Sequence, residues 1–560
     1  MSAPAAPTPA QQDLLDTAPT NGQIQSTLPS IESQQPLFKV APLANLPSSS
    51  AQVPPGGPTV AVTAFDITGN TVFDTATLQA LIASYTGKDL TLAEIYKAAD
   101  VITRYYQDHG YGIARATLPE QRLSEGRVRV QVVEGRIGKV SVEGNTRTRT
   151  GAILNQATAI KSGDVFTDSA MDRAALLVND LPALQAQAVL EPGSEFGTAD
   201  LIYKVQEDSA YTGLVSVDDY GRPDVGRMRL NAEVSVASPT DSGDRLIADV
   251  THSEDDLLNF GSLSYVLPLG PDGGKLNASW NQSRYHVTGA FAVLGLRGTG
   301  KNGALSYLFP EIRGRASSLI WGVGIQHEAG YSSATITGEV TDPITHKTSL
   351  ETNTFQLAST NLNLVDINAL YVHAFEDGST YNLAAVFSSN GRHNHGENPG
   401  AQRAKFEFDA GYQLPFDQSW TFTTKGSSVW SPDPLADAEK FSLGGPDNLR
   451  GYPSADARGD AGFYGSLELQ RSFAPLPISV GGFFDAGRAW ERHFDTAFPR
   501  GTVTTPPEVH TLESVGADLT YESSDKRWEG RLEWAYAVGY AKPSDGNTGG
   551  HIWATFGMNF

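Results

Sequence analysis

Side chains from about residue 209 to the last residue alternate between apolar and polar, with the period of two that a β-strand imposes. Between Arg531 and Tyr540, one face of such a strand would carry Leu532, Trp534, Tyr536, Val538 and Tyr540. The segments 405–412 and 463–470 alternate in the same way. A strand that separates lipid from a watery lumen needs one apolar, aromatic-rich face and one polar face. The pattern therefore predicts a transmembrane β-barrel.

The length of this region predicts the size of the barrel. Residues 209–560 number 352 (560 − 208), and roughly 22 residues for each strand with its connection give about 16 strands, an even number that suits closure. We expect an all-β transmembrane barrel of about 16 antiparallel strands. A soluble β-sandwich also alternates, but it rarely continues for so long in one domain. The sequence has no run of about 18 apolar residues, so a transmembrane helix is not expected.

The chain ends on an aromatic residue within another alternating segment. Ile552, Ala554, Phe556, Met558 and Phe560 would share one face of a last strand. This ending resembles the insertion signal of bacterial outer-membrane barrels. We predict that Phe556, Met558 and Phe560 form that signal.

Residues 1–57 differ from the rest of the chain in composition. They are rich in Pro, Ala, Gln and Ser, which is typical of a linker, and a short helix is predicted over Gln11–Asp16. Because the N-terminus lacks a basic and apolar leader, we expect any signal peptide to have been removed.

Residues 58–135 show a mixed α/β pattern. Val60–Ile67 is predicted as a strand, Leu92–Asp108 has helical spacing, and Arg127–Val133 alternates as a closing strand. The unit ends at Glu134-Gly135.

The same order of elements returns in residues 136–208. Gly-Asn pairs start at 69 and at 144, an offset of 75 (144 − 69). We interpret the two segments as an internal β-α-α-β-β repeat. A chance recurrence of short turns is the alternative.

Composition excludes several classes of function. The formal net charge of −22 argues against a nucleic-acid partner, because such a partner requires a basic surface. The absence of cysteine excludes thiol catalysis, thiolate metal sites and disulfides. We expect neither a metal nor a cofactor.

A long loop, predicted at about 431–461, carries the most specific motif. It contains Arg450-Gly451-Tyr452, and downstream Asp485 falls on the polar face of a predicted strand with Phe483. A carboxylate on the inner wall can bind a guanidinium through two hydrogen bonds, which a lysine cannot reproduce. We predict that Arg450 reaches Asp485 and anchors the loop inside the barrel. A solvated arginine and an unrelated aspartate are the alternative.

The neighbours of Arg450 have predicted roles as well. Gly451 is expected to let the backbone approach the wall, because a glycine has no side chain to obstruct it. Tyr452 is expected to pack its ring while its hydroxyl stays in water.

Several motifs resemble those of the two-partner-secretion transporters (TpsB type), in the superfamily that also contains the insertase BamA. In the first repeat they are Tyr105-Tyr106, Gly110-Tyr111, Leu118-Pro119-Glu120-Gln121 and Val132-Val133-Glu134-Gly135. In the barrel region they are Leu449-Arg450-Gly451-Tyr452 and Gly482-Phe483-Phe484-Asp485-Ala486-Gly487. The resemblance covers roughly residues 58–560.

The resemblance implies two α/β POTRA domains in the periplasm, at 58–135 and 136–208, and a 16-stranded barrel at 209–560 in the bacterial outer membrane. It also implies an N-terminal plug helix within residues 1–57. The implied site residues of the loop anchor are Arg450, Gly451, Tyr452, Phe483, Asp485 and Gly487. The implied POTRA motif residues are Tyr111, Leu118, Pro119, Gln121, Glu134 and Gly135.

The implied function is export of one unfolded exoprotein (TpsA type), which the POTRA domains capture and the barrel conducts to the cell surface. The resemblance implies neither enzymatic activity nor nucleotide hydrolysis. Outer-membrane lipids, lipopolysaccharide and the barrel-assembly machinery are the other implied partners. An insertase of the BamA or TamA kind is the alternative, but it usually carries three or more POTRA domains. A passive porin is a weaker alternative, since periplasmic repeats are superfluous for a pore.

Three other motifs are predicted not to form ligand sites. Gly295–Asn302 is close to a phosphate-binding loop, but Asn302 replaces the Ser or Thr that would hold Mg²⁺. His393 and His395 lie in a Gly/Asn-rich run that is expected to be a surface turn. The acidic groups at 218–219 and 254–256 could bind Ca²⁺ or meet lipopolysaccharide counterions, but we expect them to be solvated.

Overall fold

The computed structural model describes residues 9–28, 57–122, 125–341, 348–390, 404–432, 435–491 and 508–560. In chain order these residues form a short helical segment, two α/β domains and a closed β-barrel. Helix α1 spans Pro9–Thr17 and α2 spans Asn21–Gln25. Within these ranges, each helix is too short or too polar to cross a membrane.

The first α/β domain packs two helices against a small sheet with strand order β2-β5-β4. Helix α4 begins at a capping box formed by Thr91 and Glu94, and it buries Ile95, Ala98 and Ile102 against the sheet. The elements are β1 (Thr59–Val62), β2 (Ala64–Thr68), α3 (Thr75–Leu81), β3 (Lys88–Thr91), α4 (Leu92–Asp108), β4 (Arg115–Thr117) and β5 (Arg127–Val133).

The second α/β domain has the same order of elements and the strand order β6-β8-β7. Strands β6 and β8 are parallel, and β7 and β8 are antiparallel. The elements are β6 (Arg136–Glu143), α5 (Thr150–Gln156), α6 (Asp168–Asn179), β7 (Leu184–Pro192) and β8 (Thr198–Glu207).

The two domains use the same turn after their first long strand. Gly69 and Gly144 both have positive φ angles, 83° and 90°. A Cβ at Gly69 would lie 2.3 Å from the carbonyl oxygen of Val132, and one at Gly144 would lie 2.3 Å from that of Val205. Each turn therefore requires glycine for its backbone angle and for its close approach to a strand. This correspondence supports the predicted repeat.

A carboxylate at the end of the last strand binds the amides of each turn. Glu134 accepts hydrogen bonds from the backbone N–H groups of Thr71 and Val72. Glu207 accepts hydrogen bonds from the backbone N–H groups of Thr146, Arg147 and Thr148, at 3.0, 2.7 and 2.8 Å. Each domain thus has an equivalent glutamate, as expected of a repeat. The glutamate connects the turn near the start of the domain to the last strand.

We expect Glu207→Gln to loosen this turn at neutral pH. Burial raises the pKa of Glu207, but hydrogen bonds from Thr146, Thr148 and Arg147 outweigh it and hold the pKa at about 2. A carboxylate with a lowered pKa stabilises the fold above its ordinary pKa of 4.5, and that contribution is lost as the pH falls toward about 2. Because the side chain is partly exposed, the expected loss of local stability is about 1 kcal/mol.

Amide hydrogen exchange at residues 146–148 of the full-length protein measures this effect. Protection should be lower in Glu207→Gln than in the wild type at pH 7, and the difference should disappear as the pH falls from about 4.5 toward 2. Glu191→Gln, on the exposed surface of β7, is the matched control. It should change neither the protection at pH 7 nor its dependence on pH. A difference that is independent of pH would contradict the account.

Within the described residues, sixteen antiparallel strands close into a barrel, and the last strand pairs with the first. The predicted fold class is thus confirmed. The barrel strands are β9 (Tyr211–Asp218), β10 (Arg229–Ala237), β11 (Arg245–Ser253), β12 (Leu258–Pro268), β13 (Lys275–His286), β14 (Arg297–Arg313), β15 (Ser317–Thr341), β16 (Thr348–Ala374), β17 (Thr380–Asn390), β18 (Lys405–Pro415), β19 (Trp420–Trp430), β22 (Ala461–Ser472), β23 (Ile478–Glu491), β24 (Glu508–Glu522), β25 (Trp528–Ala537) and β26 (His551–Asn559). Two short strands, β20 (Phe441–Leu443) and β21 (Ala457–Gly459), form a separate hairpin.

The outer and inner faces of the barrel follow the predicted alternation. Leu532, Trp534 and Phe463 are about half exposed on the outside, where lipid would cover them. Glu533, between Leu532 and Trp534 on β25, is buried toward the lumen, and so is Asp485 on β23. The residues of the predicted insertion signal lie at the closing seam, where the N–H and C=O groups of Phe560 pair with Gly213. Their role in insertion stays a prediction.

The second α/β domain contacts three turns at one end of the barrel. Arg313 on β14 donates to both carboxylate oxygens of Asp180, at 2.9 and 2.7 Å, and this pair is largely buried. Arg315 pairs with Asp172 at 2.9 Å. The side-chain amide of Asn155 donates to the carbonyl of Gly270 at 3.0 Å, in the turn between β12 and β13, and the backbone N–H of Arg149 donates to the carbonyl of Asp241, in the turn between β10 and β11. These contacts place the domain under strands β10–β15 at this end of the barrel.

Candidate functional site

The connection between β19 and β22, residues 431–460, folds back into the barrel and is called the inward loop here. It is the sixth connection at the end of the barrel opposite the α/β domains. The hairpin of β20 and β21 lies within it, and Leu443, Leu449, Arg450 and Tyr452 are buried. The described part of the loop thus occupies the lumen, as the sequence predicts.

Arg450 is held by a cluster of side chains on the inner wall. Its Nε and Nη2 donate to the two carboxylate oxygens of Asp485, at 3.0 and 2.7 Å. Its Nη1 donates to Glu468 at 2.8 Å and to Glu533 at 3.2 Å, and Nη2 also donates to Ser466 at 3.0 Å. All of its guanidinium nitrogens therefore have partners. The structure places Arg450 and Asp485 together in the predicted two-bond arrangement; the function of this arrangement stays a proposal.

Two rings complete the surroundings of Arg450. The Phe483 ring lies flat against the guanidinium, with the Arg450 Cζ 3.2 Å from the ring centroid. The indole Nε1–H of Trp553 donates to the Arg450 carbonyl at 2.7 Å. His551 donates from Nδ1 to the carbonyl of Gly451 at 3.0 Å. The loop is thus fixed through its backbone as well as through its charge.

Sequence reasoning missed Glu468, Glu533 and Trp553 as partners of Arg450. The alternation within residues 463–470 and 531–540 puts both glutamates on the polar faces of their strands, and in the structure both lie on the inner wall beside Arg450. Alternation predicts the face on which a side chain lies. The register between neighbouring strands decides which polar groups meet, and alternation does not predict that register. A cluster of acidic inward positions on several strands was the signal that could have indicated a cationic partner.

The expected close approach at Gly451 is present. A Cβ on Gly451 would lie 2.6 Å from the Cβ of Ser514 and 2.9 Å from the backbone N of Ala537. Any side chain here would push the loop away from β24 and β25.

The expectation for the Tyr452 hydroxyl was wrong. Tyr452 is fully buried, and its hydroxyl donates to the carbonyl of Ala541 at 3.1 Å and accepts from the N–H of Glu513 at 3.4 Å. The physical reason is that the chain after β25 folds over the ring and supplies a backbone acceptor. Tyr452 therefore joins the loop to the upper edge of the barrel.

Gly487 provides the space into which the inward loop packs. A Cβ there would lie 3.0 Å from Leu449 Cδ2 and 3.1 Å from Leu443 Cδ2. The two leucines are fully buried against this wall. Gly487 thus has a packing role next to Asp485 on the same strand.

We expect Gly487→Val to weaken docking of the inward loop, because its side chain would overlap the two leucines. Insertion of the barrel should be unaffected, while ion conductance in a planar bilayer should rise. Gly482→Val is the matched control on the same strand, since a Cβ there meets its nearest atom at 3.8 Å. Equal conductance of both variants would contradict the packing role.

The N-terminal segment also lies in the lumen, beside the inward loop. Ile24 of α2 is fully buried against residues of β12 and β13. The carboxylate of Asp437 in the inward loop accepts from Thr20, from the N–H of Gly22 and from Arg458. The predicted short helix is thus present as α1, and the segment that fills the lumen is centred on α2.

The predicted POTRA motif residues lie in the core and turns of the first domain. Tyr111 and Leu118 pack against its hydrophobic core, Pro119 is half-buried, and Gln121 exchanges two hydrogen bonds with the backbone of Arg129. Glu134 binds the first turn and accepts from the Tyr106 hydroxyl at 2.9 Å. Gly135 has a φ of 76°, and a Cβ there would overlap Ile113. These motifs therefore build the domain.

The surroundings of the other motifs differ from those of the ligand sites that they resemble. Gly295 follows a short 3₁₀ helix and leads into β14 rather than into an α-helix, unlike a phosphate-binding loop. The expectation that the acidic groups are solvated was wrong for Asp218, which is buried and pairs with Arg229 at 2.8 Å because both side chains lie on the inner wall. Glu254 accepts from the backbone N–H of Arg227. The two histidines at 393 and 395 lie outside the described residues.

Among the described residues, one group of possible metal ligands occurs on β23 and β24. Ligand atoms of Glu491, Glu508 and His510 lie within 4.8 Å of one another. The Nζ of Lys440, however, already pairs with Glu491 at 2.6 Å. A cation so close to the carboxylate disfavours a metal ion.

Comparison with known proteins identifies relatives over most of the chain. Residues 197–498 match the model of the haemolysin secretion/activation protein family ShlB/FhaC/HecB, and residues 60–135 match the POTRA domain, ShlB-type. The chain is 23% identical to the heme/hemopexin transporter protein HuxB of Haemophilus influenzae, over 83% of this chain and 80% of that protein. It is 25% identical to the outer membrane transporter CdiB of Escherichia coli, over 79% and 74%.

Solved structures show the same fold. CdiB from Escherichia coli superposes with a TM-score of 0.71 and 22% identity, covering 98% of this chain and 97% of that one. CdiB from Acinetobacter baumannii superposes with a TM-score of 0.64 and 16% identity. Because the family model covers more than half of the sequence, the chain belongs to the haemolysin secretion/activation protein family ShlB/FhaC/HecB.

Proposed function

We propose that this outer-membrane transporter exports one unfolded exoprotein, which its periplasmic POTRA domains capture and its barrel conducts to the cell surface. Family membership supports the location and the class of function. The observation that carries the proposal is a closed barrel whose lumen is filled by two segments held through side-chain contacts, the inward loop and α2. Segments held in this way can leave the lumen without breaking the strand ladder.

One sheet edge suits capture of an extended client. Strand β6 pairs with β8 along one side, and its first residues contact Asp164 and Val165 on the other. Among the described residues, the outer side of Val140–Glu143 is left open beside a groove of about 970 Å³. The opposite edge, β7, is partly occupied, because Asn179 bonds both backbone groups of Ala186. We propose β6 as the edge to which a client strand adds.

The names of relatives support a proposal for the nature of the client. HuxB is named for heme and hemopexin, and a relative from Serratia marcescens is named a hemolysin transporter. We propose a secreted exoprotein of the TpsA type for this chain. We also propose that the protein acts as a transporter and not as an enzyme, with folding of the client outside the cell as the driving force. Lipids, lipopolysaccharide and the barrel-assembly machinery complete its proposed partners.

Deletion of the gene tests the proposal against the insertase alternative. We expect one large protein to disappear from the culture medium, while the other outer-membrane proteins keep their normal amounts. General loss of outer-membrane proteins would contradict export and favour a barrel insertase. The two POTRA copies already favour export, since the insertases usually carry three or more.

A further inference from the structure

The surroundings of Arg450 contain more carboxylates than cations. The groups are the carboxylates of Asp485, Glu468, Glu533 and Asp518 and the cations of Arg450, Arg531 and Lys425. The Nη2 of Arg531 lies 3.3 Å from Glu468, 3.1 Å from Glu533 and 4.0 Å from Asp518. The Nζ of Lys425 donates to the backbone of the inward loop at the Asp447 carbonyl, 2.9 Å away. With the loop docked, four carboxylates face three cations.

Departure of the inward loop leaves four carboxylates against two cations. The side chains of Asp485 and Asp518 are 0% exposed and that of Glu533 is 2% exposed. Among the described residues, Asp518 Oδ1 already has no hydrogen-bond partner. These exposures describe the docked state, and departure of the loop opens the carboxylates to the lumen. The vacated wall carries a net negative charge and therefore attracts another cation.

The shape of the site selects the kind of cation. Asp485 accepts from Nε and Nη2 side by side, while Nη1 points to Glu468 and Glu533 in another direction. The Phe483 ring lies against the flat face of the group. A planar guanidinium satisfies these directions together, whereas an ammonium is a compact point charge that cannot.

We propose that the vacated cluster is a receptor for the guanidinium of an arginine in the passing client, which takes the place of Arg450 when the inward loop leaves. This inference rests on the proposed export function, because it requires a client in the lumen. It assigns the wall of the lumen a ligand class, arginine in preference to lysine.

Chemical rescue in a planar bilayer tests the receptor without any client. Ethylguanidinium corresponds to the part of the side chain that Arg450→Ala removes. Arg450→Ala should conduct more current than the wild type, because its inward loop is no longer anchored. Ethylguanidinium should abolish this excess current in a dose-dependent way, while propylammonium at equal concentration should not. In Arg450→Ala/Asp485→Asn, ethylguanidinium should have no effect. Equal responses to the two cations, or rescue in the double variant, would overturn the receptor.

Short peptides test the replacement step on the wild-type protein, which needs no variant to fold. Gly-Arg-Gly added on the periplasmic side should increase the frequency of channel opening, and Gly-Lys-Gly should not. Equal effects of the two peptides would overturn replacement of Arg450 by a client arginine. Both readouts are currents measured without export. The proposed function has a separate test. If cells that lack this protein still exported the client, the proposed function would be contradicted, whatever the currents show.

Discussion

Arg450→Ala is expected to abolish export of the client while the barrel stays folded in the membrane. The variant removes the hydrogen bonds to Asp485, Glu468 and Glu533 and leaves these carboxylates without their cation. Breaking such a buried charged arrangement typically costs about 3–5 kcal/mol, which is enough to undock most of the inward loop. The strand ladder does not involve Arg450, so insertion should persist. Export is measured as client in the medium, and insertion as heat-modifiable barrel.

Two further variants define the result. Arg450→Lys keeps the charge but not the planar group, and we expect it to export far less than the wild type. Arg297→Ala, an exposed arginine on β14, is the matched control and should export normally. Unchanged export by Arg450→Ala at equal amounts of barrel would defeat the anchoring role.

Deletion of residues 9–28 should raise ion conductance severalfold. This segment lies in the lumen, where Ile24 is fully buried and Gln25 donates to Ser283 on the wall at 2.6 Å. Its removal also leaves Asp437 without Thr20 and Gly22. Conductance of the purified protein in planar bilayers measures the opened cross-section.

A pair of aspartate substitutions tests whether loss of the packing of α2 is enough to raise conductance without deletion of the segment. Ile24→Asp places a charge in a buried apolar cluster and should increase conductance in the same direction as the deletion. Ala10→Asp adds the same charge at an exposed position of α1 and should not. If the deleted protein conducted like the wild type, residues 9–28 would not obstruct the lumen.

Local patterns predicted the secondary structure well where one period dominates. The helix predicted over Leu92–Asp108 has these bounds in the structure, because its apolar spacing and capping box agree. The strand predicted over Val60–Ile67 is instead two strands, since β1 pairs with β3 and β2 pairs with β5. Between them, the N–H of Thr63 donates to the carbonyl of Gly126. Such a change of partner depends on distant residues and leaves no local pattern.

The candidate site shows the same division. The pairing of Arg450 with Asp485 could be predicted, because a carboxylate on the inner wall can bind the guanidinium of a loop arginine through two hydrogen bonds. Glu468 and Glu533 could be assigned to the inner face but not to Arg450, because their height depends on the stagger of the strands. The Tyr452 hydroxyl was misassigned because its acceptor, the Ala541 carbonyl, is a backbone group that sequence does not reveal. The domain boundaries predicted at 57, 135 and 208 stay predictions.

The central claim is that the inward loop must leave the lumen for a client to pass. Asp456 of the loop and Ser544, in the connection between β25 and β26, are hydrogen-bonded to each other. Because the chain has no cysteine, Asp456→Cys/Ser544→Cys would create a single disulfide that ties the loop to the barrel. The most direct measurement is export by this double variant with the disulfide formed and after its reduction, with each single variant as a control. We predict no client in the medium while the disulfide is intact and recovery on reduction; equal export in both states would contradict the account.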